Sequence, residues 1–406
     1  MSVYHHAPEP PTVLLDSTSS RTHSFTASPR PKPHSDLWFS DGSVVLQAEN
    51  VLFKVHMTQL ARKSIIFGDM FSIPQPPHSP SASGSAQAES ETFEGCPLVR
   101  LHDDPTDLAN LLTALYDGPS FGDNDEEDFR VVSGILRLST KYMFDSLRSK
   151  AIAHLGLAWP STLKGWDARE ERARSYGMEN TGPGGGHYYP SPIAIINLAQ
   201  EVNAPSLLPS AFYDLSRYTY AQIFECSDGS HFPSRAASPT SPQPPTGLPQ
   251  RAHPNCLASL TLRTKDLQRL ALGKESAALE VPNVIAGMGR RPPAHGRKSS
   301  VALASQASGA SPLSASSLAS SPILPCASPS VCRRDFAELV ALATQHYVCD
   351  RERGCADPLY VAEELGALKS AELSECGACA RSLENWAVKE RERIWKMIPG
   401  WFRVEA

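Results

Sequence analysis

The chain has no apolar run approaching the roughly 20 residues that a membrane-spanning helix needs. Its N-terminus offers His, Pro and Ser where a secretory leader would place a basic segment and then an apolar stretch. The expectation is an intracellular protein without membrane contact, nucleus or cytoplasm being left open. An excess of one charge is also missing, since 38 Lys and Arg face 43 Asp and Glu for a formal net charge of -5. No broad cationic surface follows, so direct nucleic-acid binding is not expected. Regular cysteine spacing is absent as well. Six of the nine cysteines (Cys326, Cys332, Cys349, Cys355, Cys376 and Cys379) crowd the last quarter. In an intracellular setting they are expected as thiols or metal ligands instead of disulfides.

Proline, by contrast, is abundant, with 35 residues and many serines beside them, so the folded part is well short of the full length. Residues 1–33 carry too few large apolar groups to offset the entropy of ordering and read as a disordered tail. An α+β unit is expected over 34–158, interrupted by a low-complexity insert at 74–95. A linker (159–192) should lead to a helical extension (193–226). Low-complexity sequence (227–256), a helical segment (257–281), a disordered linker (282–330) and a C-terminal helical region with the cysteine cluster (331–406) complete the division.

Residues 34–71 carry the strongest signal. Leu37 and Phe39 alternate in a first strand, and Asp41-Gly42 has the turn chemistry of a two-residue hairpin returning through Val44 to Leu46. Val51, Phe53 and Val55 make the next period-2 run. The period then changes, with Leu60, Ser64, Phe67 and Phe71 on one helical face. A further strand is expected at Pro97–Leu101. Asp104 as N-cap with Pro105 at the first helical position predicts a helix striped by Leu108, Leu111, Leu112, Leu115 and Tyr116. Two amphipathic helices follow the acidic loop from Asp123 to Asp128. Asp357-Pro358 starts another helix, and a final one is expected from Ala380 to Ile398.

The opening stretch resembles the start of a BTB/POZ domain, closest to those of mushroom-type (basidiomycete) fungi. The resemblance rests on Asp36 at a strand opening, Phe53-Lys54-Val55-His56 at a strand end, and Leu60, Ser64 and Phe67 in a helix pair. It covers residues 34 to about 155. The closing CGACARSLENWAVKERERIWKMIPGWF is similar to the end of the same proteins. The resemblance implies a small sheet capped by helices, followed by mainly α-helical regions with long disordered inserts. Asp36, Phe53, His56, Ser64 and Phe67 would then be architectural. It also implies a non-enzymatic scaffold that binds protein partners, as a homodimer or BTB heterodimer, through Leu37, Trp38, Phe39, Met57, Leu60 and Ala61.

A substrate adaptor for a cullin-type ubiquitin ligase is the alternative, but Ile73-Pro74-Gln75 stands where cullin-binding members carry an apolar-x-Glu. A transcription-associated regulator is a further alternative. It lacks linked DNA-binding zinc fingers, and Met57 replaces the basic residue that often follows the histidine.

Enzyme chemistry has little footing. Gly118-Pro119-Ser120-Phe121-Gly122 fits the Gly-x-Ser-x-Gly pattern, but a leucine-striped helix precedes it where a nucleophile elbow needs a strand. Cys376-Gly377-Ala378-Cys379 lacks the βαβ context of a thiol redox site. No cofactor is expected apart from a structural zinc, for which Cys376 and Cys379 would be completed by Cys349 and Cys355, with His346 as a substitute ligand. Ser28, Ser79, Ser238, Ser241, Ser311, Ser321 and Ser328 each precede proline, and Arg297-Lys298-Ser299-Ser300 suits a basophilic kinase.

Overall fold

The computed structural model describes residues 30–73, 92–179, 188–224, 261–290, 326–349, 357–368 and 376–404. Of the Ser-Pro serines named above only Ser328 falls within these residues; the others and the basic kinase motif lie outside them.

Strands β1 (Lys32–Trp38), β2 (Val44–Ala48), β3 (Val51–Val55), β4 (Thr92–Phe93) and β5 (Cys96–Leu101) form a five-stranded sheet in the order β1-β3-β2-β5-β4. β1 runs parallel to β3, and β5 parallel to β2, while β2–β3 and β4–β5 are antiparallel. The expected hairpin between the first two strands does not form. The chain reverses instead between Ala48 and Val51, which pair across a two-residue turn with Glu49 at φ 48°. Gly42 meets a different demand, since a Cβ there would lie 2.7 Å from Lys54 Cγ. It permits close approach of two backbones, with Ser43 N–H donating to Val55 O at 2.9 Å.

After β3, α1 (Met57–Lys63) and α2 (Ile65–Ser72) are separated at Ser64, an extended residue whose hydroxyl caps α2 by accepting from Phe67 N–H. Asp104 caps α3 (Pro105–Tyr116) as expected, accepting from Thr106 and Asp107 N–H. Asp125 does the same for α4 (Glu126–Lys141), and α5 (Asp145–Ala158) follows.

Two hydrophobic cores share these helices. Ile135 and Leu138 of α4, with Phe144 and Leu147 at the start of α5, pack toward the sheet beside Phe53, Leu60 and Phe67. Val132 and Leu136, with Ala151 and Leu155, pack toward the C-terminal helices. On α4 helical periodicity puts the two sets on different sides, whereas on α5 they succeed one another along a single stripe, Phe144 and Leu147 at its start and Ala151 and Leu155 further on. The two halves are therefore joined through shared helices.

The expected linker at 159–192 contains α6 (Leu163–Glu179), whose charged sequence hides a buried Trp166 and Arg169. α7 (Pro192–Glu201), α8 (Leu208–Ser216) and α9 (Tyr220–Phe224) occupy the predicted helical extension. α10 (Thr264–Gly289) runs past the expected boundary at 281. Pro282 is exposed within it, while Val281, Val284, Ile285 and Met288 are buried around it. α11 (Pro329–Thr344) continues into a π-helical turn (Gln345–Cys349). Asp357 caps α12 (Pro358–Gly366), and α13 (Gly377–Trp401) extends through Pro399 beyond its expected end. Among the described residues, no helix is long and apolar enough to cross a membrane.

Candidate functional site

Polar and ionisable side chains gather in three places: around His56, at the thiols near the start of α13, and in a buried charge network.

His56 sits where β3 gives way to α1. Its backbone N–H donates to Tyr116 Oη at 3.0 Å, its Nδ1 shares a hydrogen bond with the same oxygen at 2.9 Å, and its Nε2 lies 3.2 Å from Asp41 Oδ2. That contact with His56 lowers the Asp41 carboxyl below its ordinary pKa, and burial raises the Tyr116 phenol. Phe39 packs against both rings at a tilt of 40°, its centroid 4.8 Å from that of Tyr116 and 5.2 Å from that of His56. His56 thus ties the loop after β1 to α3, which is a positioning role.

Phe53 and Phe67 are core residues, and Ser64 is buried with its hydroxyl donating to Tyr142 O at 2.6 Å. Asp36 is exposed within β1 and accepts from the Ser35 hydroxyl at 2.8 Å.

Of the expected contact residues, Leu37 and Leu60 are 5% and 1% exposed, so the chain's own core consumes them. Trp38, Phe39, Met57 and Ala61 are half-buried. Trp38 meets Phe93 edge-on at 6.0 Å, with Lys54 Nζ over its ring. Among the described residues Ile65 (59% exposed), Ile73 (65%) and Met143 (46%) are apolar residues of the sheet module that face outward; Ile65 was not legible as such because its neighbours Ile66 and Phe67 are equally apolar.

Ser120 follows α3 and does not stand on a strand-to-helix turn. The nearby acid and histidine are occupied with the loop itself: Asp128 accepts from Gly122 and Asn124 N–H at 2.7 and 2.9 Å and contacts His154 Nε2 at 2.6 Å.

The thiols come together in a set the sequence reading did not choose. Cys326, Cys332, Cys376 and Cys379 present sulfurs all within 4.8 Å of one another. Cys349 is exposed on the π-helical turn and takes no part, His346 is likewise outside the group, and Cys355 lies outside the described residues. Cys332, Cys376 and Cys379 are buried, and Cys326 is half-buried. Cys326 Sγ lies 3.5 Å from Cys332 Sγ and 3.9 Å from Cys376 Sγ.

Cys332 is in the first turns of α11, Cys376 is the N-cap residue of α13 and Cys379 is in its first turn. Burial opposes ionisation of Cys376, but hydrogen bonds from the backbone of Cys379 and Ala327 and from neighbouring thiols outweigh it and bring its pKa down to about 6. Burial, followed by its thiol neighbours, pushes Cys332 the other way. Pairing the right cysteines from sequence required knowing that α11 and α13 start side by side, which no local spacing encodes.

The charge network lies between α6, α8 and α12. Arg169 pairs with Glu170 and, at 2.7 Å, with Asp214, and its guanidinium lies 4.8 Å from the rings of Trp166 and Tyr189. Arg217 contacts Glu170 at 2.8 Å and Asp357 at 2.6 Å. Tyr213, wholly buried, donates its hydroxyl to Asp357 Oδ1 at 2.6 Å. Burial first, then Asp357, raises the Tyr213 phenol far above its ordinary value. Burial works against the Arg217 charge, but Asp357 and Glu170 more than compensate.

Comparison of the chain with family models and with curated proteins found no match in either.

Proposed function

We propose that the chain is a non-enzymatic protein-interaction scaffold of BTB/POZ type whose sheet module associates with a second copy of itself. The observation that carries this reading is the open side of β1. This strand lies at one end of the sheet, bonded only to β3, and among the described residues nothing pairs with its other side. An unpaired edge presents backbone donors and acceptors that a second strand can satisfy, and closed two-fold pairing is the commonest way a chain covers such a surface.

The residues quoted for the resemblance support the reading through their roles: His56, Ser64 and Phe67 all hold the module together. With Leu37 and Leu60 committed to the core, the contact falls to Trp38, Phe39, Met57 and Ala61 around β1 and α1. Sedimentation of the full chain at tens of micromolar tests this. The expected result is a dimer that Met57→Glu converts to monomer while the helical circular dichroism is kept. A strict monomer across that range would overturn it.

A further inference from the structure

We propose that Cys326, Cys332, Cys376 and Cys379 bind a single Zn²⁺ in a closed structural site that fastens the start of α11 to the start of α13. The inference is independent of the interaction reading above. A tetrahedral zinc with Zn–S bonds of about 2.3 Å needs its sulfurs about 3.8 Å apart. The separations of 3.5 and 3.9 Å, within an overall spread of 4.8 Å, bracket that value. A disulfide would draw two sulfurs to about 2.05 Å and leave a pair and not a square of four.

The donor set is chemically uniform. Four thiolates with no oxygen ligand select a soft or borderline ion and disfavour Mg²⁺ and Ca²⁺. Four protein ligands also fill every corner of a tetrahedron, which leaves no position for a reacting water, so the site is structural. Cys332 lies in the first turns of α11 and Cys376 is the N-cap residue of α13, so both ligands sit near the positive ends of helices.

Binding displaces the protons that the thiols still hold and releases them to solvent, with no change of oxidation state. Cys326 and Cys376 are 50 residues apart, so the metal also closes a long loop.

Elemental analysis of the purified full chain should give one zinc per chain. Cys332→Ser and Cys376→Ser should lose it, while Cys349→Ser, which alters an exposed thiol outside the group, should keep it. Since a serine variant can fail to fold, Cys326→His supplies a second reading. It should retain the metal, and after Co²⁺ substitution its visible and charge-transfer bands should move from an all-sulfur pattern to one with a nitrogen ligand. Iron in place of zinc, a metal-free chain with these cysteines in disulfides, zinc that survives Cys332→Ser and Cys376→Ser, or a Co²⁺ spectrum unmoved by Cys326→His would each overturn the proposal.

Discussion

Arg217 Nε meets Asp357 Oδ2 at 2.6 Å, joining the end of α8 to the start of α12. The same carboxylate accepts from the Tyr213 hydroxyl at 2.6 Å and caps α12 by accepting from Tyr360 N–H at 3.0 Å. Both side chains are largely shielded, at 14% and 12% exposure. Charges in such a position are stabilising only while every partner is present, because removal of one leaves another desolvated.

Asp357→Ala is therefore expected to lower stability by about 3–5 kcal/mol, as breaking a buried pair does. Asp357→Asn should cost less, since an amide oxygen still caps the helix and still accepts from Tyr213. Urea unfolding followed by circular dichroism measures both. Equal stability of wild type and the alanine variant would mean that the network is solvated and without weight.

Ser64 offers a local counterpart in the sheet module. Its oxygen caps α2 while its hydrogen satisfies the Tyr142 carbonyl, and the residue is 1% exposed. Ser64→Ala removes both bonds in a site water does not reach, for an expected loss of about 1–3 kcal/mol. Ser64→Thr keeps the hydroxyl and should recover most of it. Thermal unfolding of the two variants side by side decides the point.

What the sequence revealed and what it concealed divide along local against distant causes. Asp104-Pro105 and Asp357-Pro358 announced their helices because capping is a matter of three or four neighbouring residues. The leucine stripe of α3 was legible for the same reason, whereas Ser64, read as one position on a helical face, is the extended residue that separates α1 from α2. α6 was not, because DAREERARSYGME has no apolar stripe and its helix is held by partners such as Asp214, 45 residues from Arg169. The Asp41-Gly42 dipeptide misled because glycine there serves a close approach to Lys54, whereas the actual reversal uses Glu49 with positive φ. The thiols were seen as a cluster in composition, but which four converge depends on the packing of two helices.

Gly273 shows how a distant contact reverses a local rule. In the interior of α10, Gly→Ala would ordinarily stabilise by about 1 kcal/mol. Here a Cβ would fall 1.8 Å from Phe402 Cε1, and Phe402 is itself fully buried and stacked on Phe212 at 5.5 Å. Overpacking of this kind costs about 1–3 kcal/mol, which outweighs the helical gain. Gly273→Ala should thus be destabilising in the full-length background and close to neutral when Phe402→Leu is already present. The test is a double-mutant cycle, and simple additivity would rule out the contact.

The last expectation concerns pH. Lys274 Nζ donates to Ser216 O at 2.7 Å and Tyr218 O at 2.5 Å and sits 5.0 Å from the centre of the Tyr220 ring. Burial brings its pKa down from 10.5 to about 8. A lowered lysine means that between these two values the unfolded chain holds the proton more often than the folded one, so folding becomes more favourable as pH rises through that window. The contribution is fully present above the unfolded value and is lost as pH falls through the folded value. Lys274→Met removes this titration while keeping an aliphatic side chain of similar length. The difference in unfolding free energy between wild type and variant should therefore shift in favour of wild type from pH 8 to 10.5 and flatten below pH 8, and the comparison cancels the tyrosines and cysteines that titrate in the same range. A difference independent of pH would mean that the ammonium remains as well solvated in the folded chain as in the unfolded one.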